Sequence, residues 1–505
     1  MSFISQILQG FVAIADPSVL TYMVVGFLIG TFFGAVPGLT AVLAIALLLP
    51  LTYSLDVIPA LVMCAAIFMS GMYAGSITAT TINIPGAPSS LMTSIEGNAL
   101  MKQGKGANAL GHAALGSMIG GVIGALLLIC FTPVAAKLAL LIQTPGKFSL
   151  IFFALVVIVI SQRDAIAKGS ASTLVGLMIA TVGVDIMQPI ARFNFGTEIL
   201  VEGIDMMPLI IGTFAISELL CQLQEKDGFG TLKEGFPKIM RRDFLPPWSE
   251  IKEIGFFTYI KSSFIGYFIG ILPGAGGSVA AFVSYAEAMR NSKKPELYGK
   301  GSREGIAAAE AANNSMCGGA FVPMLMFGIP GDPTTAIVLG VLIINGLQPG
   351  PQLLQKQLHL IAPMFASLLI SALLLIPLVL FIFGPYFVKI VQIRKAILYS
   401  CIAVVALVGS YVATYSIFQM MLALGFGVLA YFLRRQNYPT VPMLLGYILG
   451  PGLEQYLRRS LFLSDNNPMT FITSLDSLFF LVITLIFFYF MVIRTPKEKT
   501  LPIEG

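Results

Sequence analysis

The chain has 505 residues, of which 56% are hydrophobic and 11% charged, and its formal net charge is +5. Soluble domains carry roughly a quarter charged residues, so this composition excludes an ordinary soluble fold and indicates a membrane protein. A small positive charge is typical of the cytoplasmic loops of such proteins and does not indicate nucleic-acid binding. The two histidines are too few for a His-based metal site and argue against a Ser/His/Asp triad.

Long runs without charge predict membrane-spanning helices, because a helix needs about 20 consecutive apolar residues to cross a bilayer. The runs without Asp, Glu, Lys or Arg are 17–55, 57–95, 106–136, 357–388 and 396–433. They are continuously apolar, whereas the strands of a transmembrane barrel alternate in polarity. We therefore expect an all-α polytopic membrane protein with about 10 to 12 crossings.

The N-terminal sequence MSFISQILQGFVAIADP lacks the basic region of a signal peptide, and we expect a short interfacial helix that the mature protein keeps.

The longest polar stretch divides the chain into a first half (1–221), a connecting loop (222–261) and a second half (262–505). By the positive-inside rule the loop and the tail are cytoplasmic. Their basic residues are Lys226, Lys233, Lys238, Arg241, Arg242, Lys252, Arg494, Lys497 and Lys499.

The two halves contain the same two motifs in the same order. In the first pair, Gly30-TFF-Gly34-AV-Pro37-Gly38 matches Gly266-YFI-Gly270-IL-Pro273-Gly274. In the second pair, IPGAPSS at 84–90 matches IPGDPTT at 329–335. A single copy is also typical of close packing or bending of membrane helices. Duplicated Gly/Pro-interrupted segments in corresponding positions indicate the binding site of a transporter.

The flanking charges indicate that the repeats are inverted. The nearest charges to the first Gly-Pro segment are Asp16 and Asp56, whereas the second is flanked by basic residues on both sides. These are Lys252, Lys261, Arg290, Lys293 and Lys294. Both ends of the first segment should therefore lie outside, and both ends of the second in the cytoplasm. As a helix, the segment from Gly277 to Arg290 would be roughly 20 Å long, whereas the hydrocarbon core of a bilayer is about 30 Å thick. The segment is too short to cross, so we expect re-entrant hairpins.

The second motif pair should break its helices, because proline rejects a helical neighbour before it and glycine permits a tight turn. Hydroxyls and free N–H groups at the start of the next helix suit an anion. The predicted substrate-binding residues are Pro37, Gly38, Asn83, Pro85, Gly86, Ser89, Ser90, Pro273, Gly274, Gly276, Pro330, Gly331, Thr334 and Thr335. Neither repeat core contains Lys or Arg, so helix dipoles must hold the anion.

The same loops are predicted to hold the coupling ion, Na⁺ or H⁺, and no other cofactor is expected. Freed backbone carbonyls coordinate Na⁺ in broken helices. The predicted ion-coupling residues are Thr81, Asn83, Asn314 and Asp332, and Asp332 is alternatively a helix cap. The candidate intramembrane acids are Glu96, Asp164, Asp185, Glu218, Glu310 and Asp332. We expect Asp185 and Glu218 to be structural or interfacial.

Several segments resemble the large membrane subunit of tripartite tricarboxylate transporters, the TctA type. They are GAVPGLT (34–40), GSITATTINIPGAPSS (75–90), 183–196, GTFAISELL (212–220), MFGIPGDPTTAIVLG (326–340) and PMLLGYILGPGLEQYLRRSL (442–461). The resemblance covers nearly the whole chain. It implies a multi-pass carrier of the bacterial inner membrane, driven by an ion gradient. It also implies a small membrane subunit (TctB type) and a periplasmic substrate-binding protein (TctC type) as partners. The implied substrates are di- and tricarboxylates or aromatic carboxylates, and the hairpins favour an elevator-like mechanism.

Two other functions compete with the carrier. A channel also uses broken helices, but filter loops are more naturally repeated around a pore axis. A membrane enzyme would require a nucleophile-base pair, a metal cluster or a phosphate loop, and the sequence contains none of these.

Overall fold

The computed structural model describes residues 2–162, 165–223, 240–387 and 395–493, and it confirms the all-α polytopic architecture. In these ranges the only strands form one short antiparallel pair, β1 (Gly183–Val184) and β2 (Ala191–Arg192). Six of the described helices are long and apolar enough to cross a membrane, or up to seven if the bent pair Arg241–Ile254 and Phe256–Ile271 is one span. Other apolar helices are shorter, so the predicted 10 to 12 crossings stay a prediction.

Some residues singled out in the sequence lie outside the described ranges. They are Asp164, Lys226, Lys233, Lys238, Arg494, Lys497 and Lys499.

The helices of the first half are separated mostly by short connections. They are α1 (Phe3–Ile14), α2 (Pro17–Ala35), α3 (Ala41–Tyr53), α4 (Val57–Ile82), α5 (Leu91–Lys102), α6 (Gly106–Leu141), α7 (Thr144–Ile160), α8 (Ile166–Ile179), α9 (Met206–Ile210) and α10 (Ser217–Gln222). A 3-10 turn (Pro88–Ser90) precedes α5, and a π-helical turn (Ile211–Ile216) joins α9 to α10.

The rest of the chain is helical already from Trp248, within the stretch 222–261 that was predicted as the connecting loop. Its helices are α11 (Trp248–Ile254), α12 (Phe256–Ile271), α13 (Gly276–Asn291), α14 (Arg303–Phe327), α15 (Pro333–Ile344), α16 (Pro351–Lys356), α17 (Leu358–Ile370), α18 (Ile376–Phe383), α19 (Lys395–Thr414), α20 (Ile417–Arg435), α21 (Val441–Leu463), α22 (Thr470–Thr473) and α23 (Leu475–Phe488). A π-helical turn (Ser371–Leu375) joins α17 to α18, and another (Tyr489–Ile493) follows α23. The 3-10 turns are Arg241–Phe244, Pro295–Leu297 and Gly384–Tyr386.

The chain forms two compact units, and each combines segments from both sequence halves. The first unit contains Met1–Leu140 and Ile204–Leu433, and the second contains Leu141–Gly203 and Arg434–Gly505. Within the second unit, α21 packs against α7 and α8, and α23 packs against α7. The predicted division into halves concerns the sequence repeat and stays a prediction.

Two helical hairpins of the first unit occupy matching places in the repeat. Helix α2 turns into α3 at Gly38 (φ +85°), and α12 turns into α13 at Gly274 (φ +74°), a backbone conformation that favours glycine. Helices α3 and α13 have 13 and 16 residues. At about 1.5 Å per residue, both are shorter than a hydrocarbon core of about 30 Å. These arms have the length expected of re-entrant hairpins.

The Gly-x3-Gly motif lets each hairpin approach a long helix closely. A Cβ atom on Gly34 would lie 2.5 Å from the carbonyl oxygen of Gly71 on α4, and one on Gly270 would lie 2.6 Å from that of Met316 on α14. Met316 follows Gly71 by the same number of residues that separates the two copies of the second motif, so the two residues occupy equivalent positions of the repeat. The sequence repeat is therefore also a repeat of helix packing.

Glu96 on α5 holds the segment that leads into α14. Its buried carboxylate accepts hydrogen bonds from the Tyr285 hydroxyl (2.6 Å) and from the N–H groups of Gly299 (2.6 Å), Gly301 (2.9 Å) and Ser302 (2.7 Å). Hydrogen bonds to a charged acceptor are about twice as strong as neutral ones. Glu96 therefore fixes where α14 begins relative to α5.

Candidate functional site

Both copies of the second motif, IPGAPSS at 84–90 and IPGDPTT at 329–335, interrupt a helix, as predicted. Helix α4 ends at Asn83 (φ +58°) and α14 ends at Gly328 (φ +67°), so each helix has a left-handed residue at the same point of the repeat. After a short irregular segment, the turn Pro88–Ser90 leads into α5, and Pro333 begins α15. We call the segments 84–90 and 329–335 the first and second broken motifs.

Gly86 and Gly331 are needed for close backbone approach and not for an unusual φ angle. Neither residue has a positive φ, so the expectation that glycine serves the turn through its conformation is wrong at these two positions. A Cβ on Gly86 would lie 2.2 Å from the carbonyl oxygen of Gly34, and one on Gly331 would lie 2.5 Å from that of Gly270. Each broken motif therefore presses against the hairpin of its own half.

The start of the helix that follows each motif packs against the hairpin of the other half. The turn Pro88–Ser90 contacts α13, and α15 contacts α3. A Cβ on Gly276 would lie 3.1 Å from Asp332 Oδ2, and one on Gly277 would lie 3.0 Å from the Ser89 Cβ atom. Ser89 and Asp332 belong to different motifs, yet both adjoin the N-terminus of α13.

Buried hydroxyl groups in the first broken motif and on the adjoining end of α4 lack partners. Among the described residues, no hydrogen bond reaches the side-chain oxygens of Thr78, Thr80, Ser89 or Ser90. A Cβ on Gly75 would lie 2.6 Å from Ser90 Oγ, so this hydroxyl faces the α4 backbone. Burying a hydroxyl without a partner costs free energy, and a polar ligand would remove that cost.

The second broken motif satisfies its own polar groups. Asp332 Oδ1 accepts a hydrogen bond from the Thr334 N–H (2.8 Å). Thr335 Oγ1 accepts from the Asp332 N–H (3.0 Å) and donates to the Asp332 carbonyl (2.8 Å). Asp332 thus caps α15, which is the alternative role considered for it, and its carboxylate already occupies this helix N-terminus.

Two asparagines of α14 turn their side chains towards α4. Asn313 Nδ2 donates to the Met72 carbonyl (3.1 Å), and Asn314 Nδ2 donates to the Met69 carbonyl (3.0 Å). Both Oδ1 atoms are buried and have no hydrogen-bond donor among the described residues. A Cβ on Gly277 would lie 2.6 Å from Asn313 Oδ1, so this oxygen also reaches the N-terminus of α13.

The other predicted site residues lie at the edges of this region. The Gly274 N–H donates to the Gly331 carbonyl (3.1 Å), which joins the turn at Pro273 to the second motif at Pro330. The Thr81 hydroxyl donates to the Ile77 carbonyl (2.8 Å). Pro37, Gly38 and Pro85 complete the predicted set. Gly38 lies beside α10, because a Cβ there would be 2.3 Å from Gln222 Nε2.

The structure shows two hydrogen-bond partners of Glu310, Thr93 and Ser117, that the sequence analysis did not single out. The buried carboxylate of Glu310 on α14 accepts hydrogen bonds from Thr93 on α5 (2.5 Å) and Ser117 on α6 (3.1 Å). Glu310 carries a sequence signal, since acids are rare within membrane helices. Thr93 and Ser117 carry none, because hydroxyl residues are common there.

Asp185 has the structural role expected of it, in the second unit. It pairs with Arg458 (2.6 Å) and Arg192 (3.1 Å), and Glu454 pairs with both arginines. Hydrogen bonds from Arg458 and from the Met187 N–H lower the pKa of Asp185 from 3.8 to about 2. This ion-pair cluster joins the β1–β2 hairpin to α21.

Residues 20–445 match the model of the tripartite tricarboxylate transporter TctA family. An uncharacterised 52.8 kDa protein of the TAR-I ttuC' 3' region of Agrobacterium vitis is 34% identical over 476 residues, which cover 94% of this chain and 93% of that protein. An uncharacterised protein of the TAR-II ttuC' 3' region of the same organism is 36% identical over 209 residues, which cover 41% of this chain and 86% of that protein. No solved structure matches the chain. The match across most of the chain, together with the repeated hairpins and broken motifs, shows that this protein belongs to the TctA family.

Proposed function

We propose that this chain is the translocating subunit of an ion-gradient-driven carrier that imports carboxylates. Its family forms the large subunit of tripartite tricarboxylate transporters, so the chain is a multi-pass membrane component of a transporter and not an enzyme. The observation that carries the proposed substrate class is the set of unpaired buried hydroxyls in and beside the first broken motif, where α5 begins.

The substrate carboxylate is proposed to bind at Ser89 and Ser90. Hydroxyl groups and a helix N-terminus donate hydrogen bonds to an anion without any buried Lys or Arg. The second motif is less suitable, because Asp332 already occupies its helix N-terminus and Thr335 is used in the cap. The sequence predicted that both motifs bind the substrate. We propose instead an asymmetric site, in which the first motif holds the anion.

The coupling cation, Na⁺ or H⁺, is proposed to bind on the side of the second motif. Asp332 supplies negative charge, and Asn314 supplies a buried oxygen that has no donor among the described residues. Thr81 and Asn83 lie at the C-terminal end of α4, where backbone carbonyls are free of helical partners. An anion and a cation bound near each other would neutralise charges that are costly within a membrane.

Transport is proposed to follow an elevator-like mechanism. Both hairpins and both broken motifs lie in the first unit. They are joined by the Gly274 to Gly331 hydrogen bond and by the packing of α13 on the turn Pro88–Ser90. These links support the movement of the hairpins, the motifs and the bound solute as one body across the membrane.

The proposed assembly contains a small membrane subunit of the TctB type and a periplasmic substrate-binding protein of the TctC type, in the bacterial inner membrane. Family membership supports the existence of further subunits. Both similar proteins come from Agrobacterium vitis, which supports a bacterial setting.

The test is uptake of citrate, succinate and benzoate into proteoliposomes that contain both membrane subunits, with added binding proteins. A carrier should show saturable uptake that requires a binding protein and an inward Na⁺ or proton gradient. Uptake that rises linearly with solute concentration and needs neither binding protein nor gradient would instead support a channel. Chemical conversion of a solute by the purified chain would contradict both.

A further inference from the structure

Glu310 is a buried acid that the proposed substrate and cation sites do not use. It lies in the first third of α14, and its side chain is buried between α14, α5 and α6. Helix α6 lies close to α14 at this point, because a Cβ on Gly116 would lie 3.3 Å from the Glu310 Cβ atom. No Lys, Arg or His among the described residues forms an ion pair with it.

We propose that Glu310 carries the coupling proton of this transporter. Glu96 is stabilised by three backbone N–H groups and a tyrosine hydroxyl, whereas the hydrogen bonds described above give Glu310 only two hydroxyl donors. An ionised Glu310 is therefore costly in the interior of a membrane protein, and a bound cation that neutralises its charge would remove that cost. This inference rests on the proposed carrier function, narrows the choice of coupling ion to H⁺ and assigns that proton to Glu310 instead of to the groups around Asp332.

The contacts of Glu310 suit a proton better than Na⁺. The hydroxyls of Thr93 and Ser117 donate to the charged form, and each also has lone pairs that accept from the protonated form. Sodium needs several oxygen ligands, and in broken helices these are freed backbone carbonyls. Thr93, Ser117 and Glu310 all lie within regular helices, where the carbonyls are already bonded.

The chemical step is a simple exchange. The Glu310 carboxylate takes one proton from the outer aqueous phase, forms one O–H bond and becomes neutral. On the inner side this O–H bond breaks and the proton passes to water. No other bond changes.

The position of Thr93 links the proton to the substrate. Thr93 lies three residues after Ser90, on the helix that the first broken motif begins. Its hydroxyl joins α5 to Glu310 of α14, three residues before Asn313. A change in the charge of Glu310 therefore acts directly on the helix that bears the proposed carboxylate site.

Other titratable groups on the surrounding elements are held by their own contacts or lack a negative charge. They are Cys64 and Tyr73 on α4, Glu96 and Lys102 on α5, His112, Cys130 and Lys137 on α6, Tyr259, Lys261 and Tyr267 on α12, Tyr285, Glu287 and Arg290 on α13, and Arg303, Glu304 and Cys317 on α14. Glu287 pairs with Lys261, and Glu304 accepts a hydrogen bond from the Ser292 hydroxyl. Glu96 is held by Tyr285 and the 299–302 backbone, while His112 and Arg303 pair with Glu250. This leaves Glu310 as the unpaired carboxylate of the group.

The first test compares the wild type with Glu310→Gln and with Glu296→Gln, which makes the same change at an exposed position. Proteoliposomes with both membrane subunits and a binding protein are loaded with the carboxylate that the wild type transports best among citrate, succinate and benzoate. An inward proton gradient should drive uptake by the wild type and by Glu296→Gln. In Glu310→Gln this uptake should fall to the level of empty liposomes, while exchange of internal for external solute persists and no longer depends on pH. Gradient-driven uptake that persists in Glu310→Gln overturns the proposal. So does a wild type driven by a Na⁺ gradient at equal pH on both sides.

The second test needs no transport. Infrared difference spectra of the purified complex should show a protonated carboxyl band that titrates with pH and is lost in Glu310→Gln. Ser117→Ala removes one hydrogen bond to the charged form and should move this titration to higher pH. A band that is unchanged in Glu310→Gln refutes the proton role, whether or not any of the three solutes is transported. If the band is lost as expected and none of the three solutes is transported, the failure lies with the proposed carboxylate import.

Discussion

Gly86 lies so close to Gly34 that a Cβ atom added to it would be 2.2 Å from the Gly34 carbonyl oxygen. The same relationship holds between Gly331 and Gly270, at 2.5 Å, in the second half. In each half, a glycine of the broken motif therefore contacts the last glycine of the Gly-x3-Gly sequence. These two contacts fix the motifs against their hairpins and lead to the first prediction.

Gly86→Val and Gly331→Val should abolish transport while the protein still inserts into the membrane. A β-branched side chain cannot fit against backbone atoms at these distances, so the motif must move away from its hairpin. Uptake and the amount of membrane-inserted protein measure the two effects. Gly425→Val on α20 is the matched control, because a Cβ there meets nothing within 4 Å. Wild-type uptake by either variant would show that its motif is not at the site.

Ser90→Ala and Thr335→Ala should behave differently although they occupy equivalent positions. The Ser90 hydroxyl lacks a partner among the described residues, whereas the Thr335 hydroxyl completes the α15 cap. Ser90→Ala should raise the half-saturating substrate concentration several-fold, since a hydrogen bond to a charged group contributes roughly 1.5 to 3 kcal/mol. Thr335→Ala should mainly lower the melting temperature, by the loss of a cap that contributes about 1 kcal/mol. Equal effects of both variants on half-saturation would contradict the proposed asymmetry.

Glu96→Gln should destabilise the protein without removing the side chain's volume. The carboxylate accepts four hydrogen bonds, and an amide group would present its own donors to some of the same N–H groups. The free energy of unfolding should fall by about 1.5 to 3 kcal/mol or more, which thermal unfolding in detergent would measure. Tyr285→Phe removes one of the four donors and should cost less. Exposed Glu296→Gln should leave the melting temperature unchanged, and a similar result for Glu96→Gln would refute its anchoring role.

Labelling of single cysteines tests the inverted orientation of the repeats. Asp56 and Lys294 are both exposed, so a cysteine at either position should be accessible to reagent. In a background without the native cysteines, Asp56→Cys should react with a membrane-impermeant maleimide added outside intact cells. Lys294→Cys should react only after the membrane is opened, because basic loops remain in the cytoplasm. Reaction of both positions from one side would exclude the inverted arrangement.

The ion pairs of Asp185 predict a dependence of stability on pH. Its pKa in the folded protein is about 2, below the ordinary value of 3.8. A lowered pKa stabilises the fold above the ordinary value, and this stabilisation is lost as the pH falls towards 2. Asp185→Asn should therefore lower the melting temperature near neutral pH, and the difference from the wild type should shrink between about pH 4 and pH 2. A difference that stays constant over this range would show that charge at Asp185 does not contribute.

The sequence alone determined the class of the protein and the places where its helices break. Apolar runs of the length of a bilayer specify membrane helices, and a Pro-Gly pair favours a break in a helix, because these effects depend mainly on neighbouring residues. The preference is not absolute, since α21 continues through Pro451 and Gly452. The matching motifs at 30–38 and 266–274 therefore predicted both hairpins. Only the tertiary structure decided which atoms meet across helices. It brought Ser89 and Asp332 to one end of α13 and placed Thr93 and Ser117 on Glu310. It also showed that Gly86 serves close packing rather than a special φ angle. Such contacts join residues far apart in the chain, and they depend on how whole helices pack, which no local pattern records.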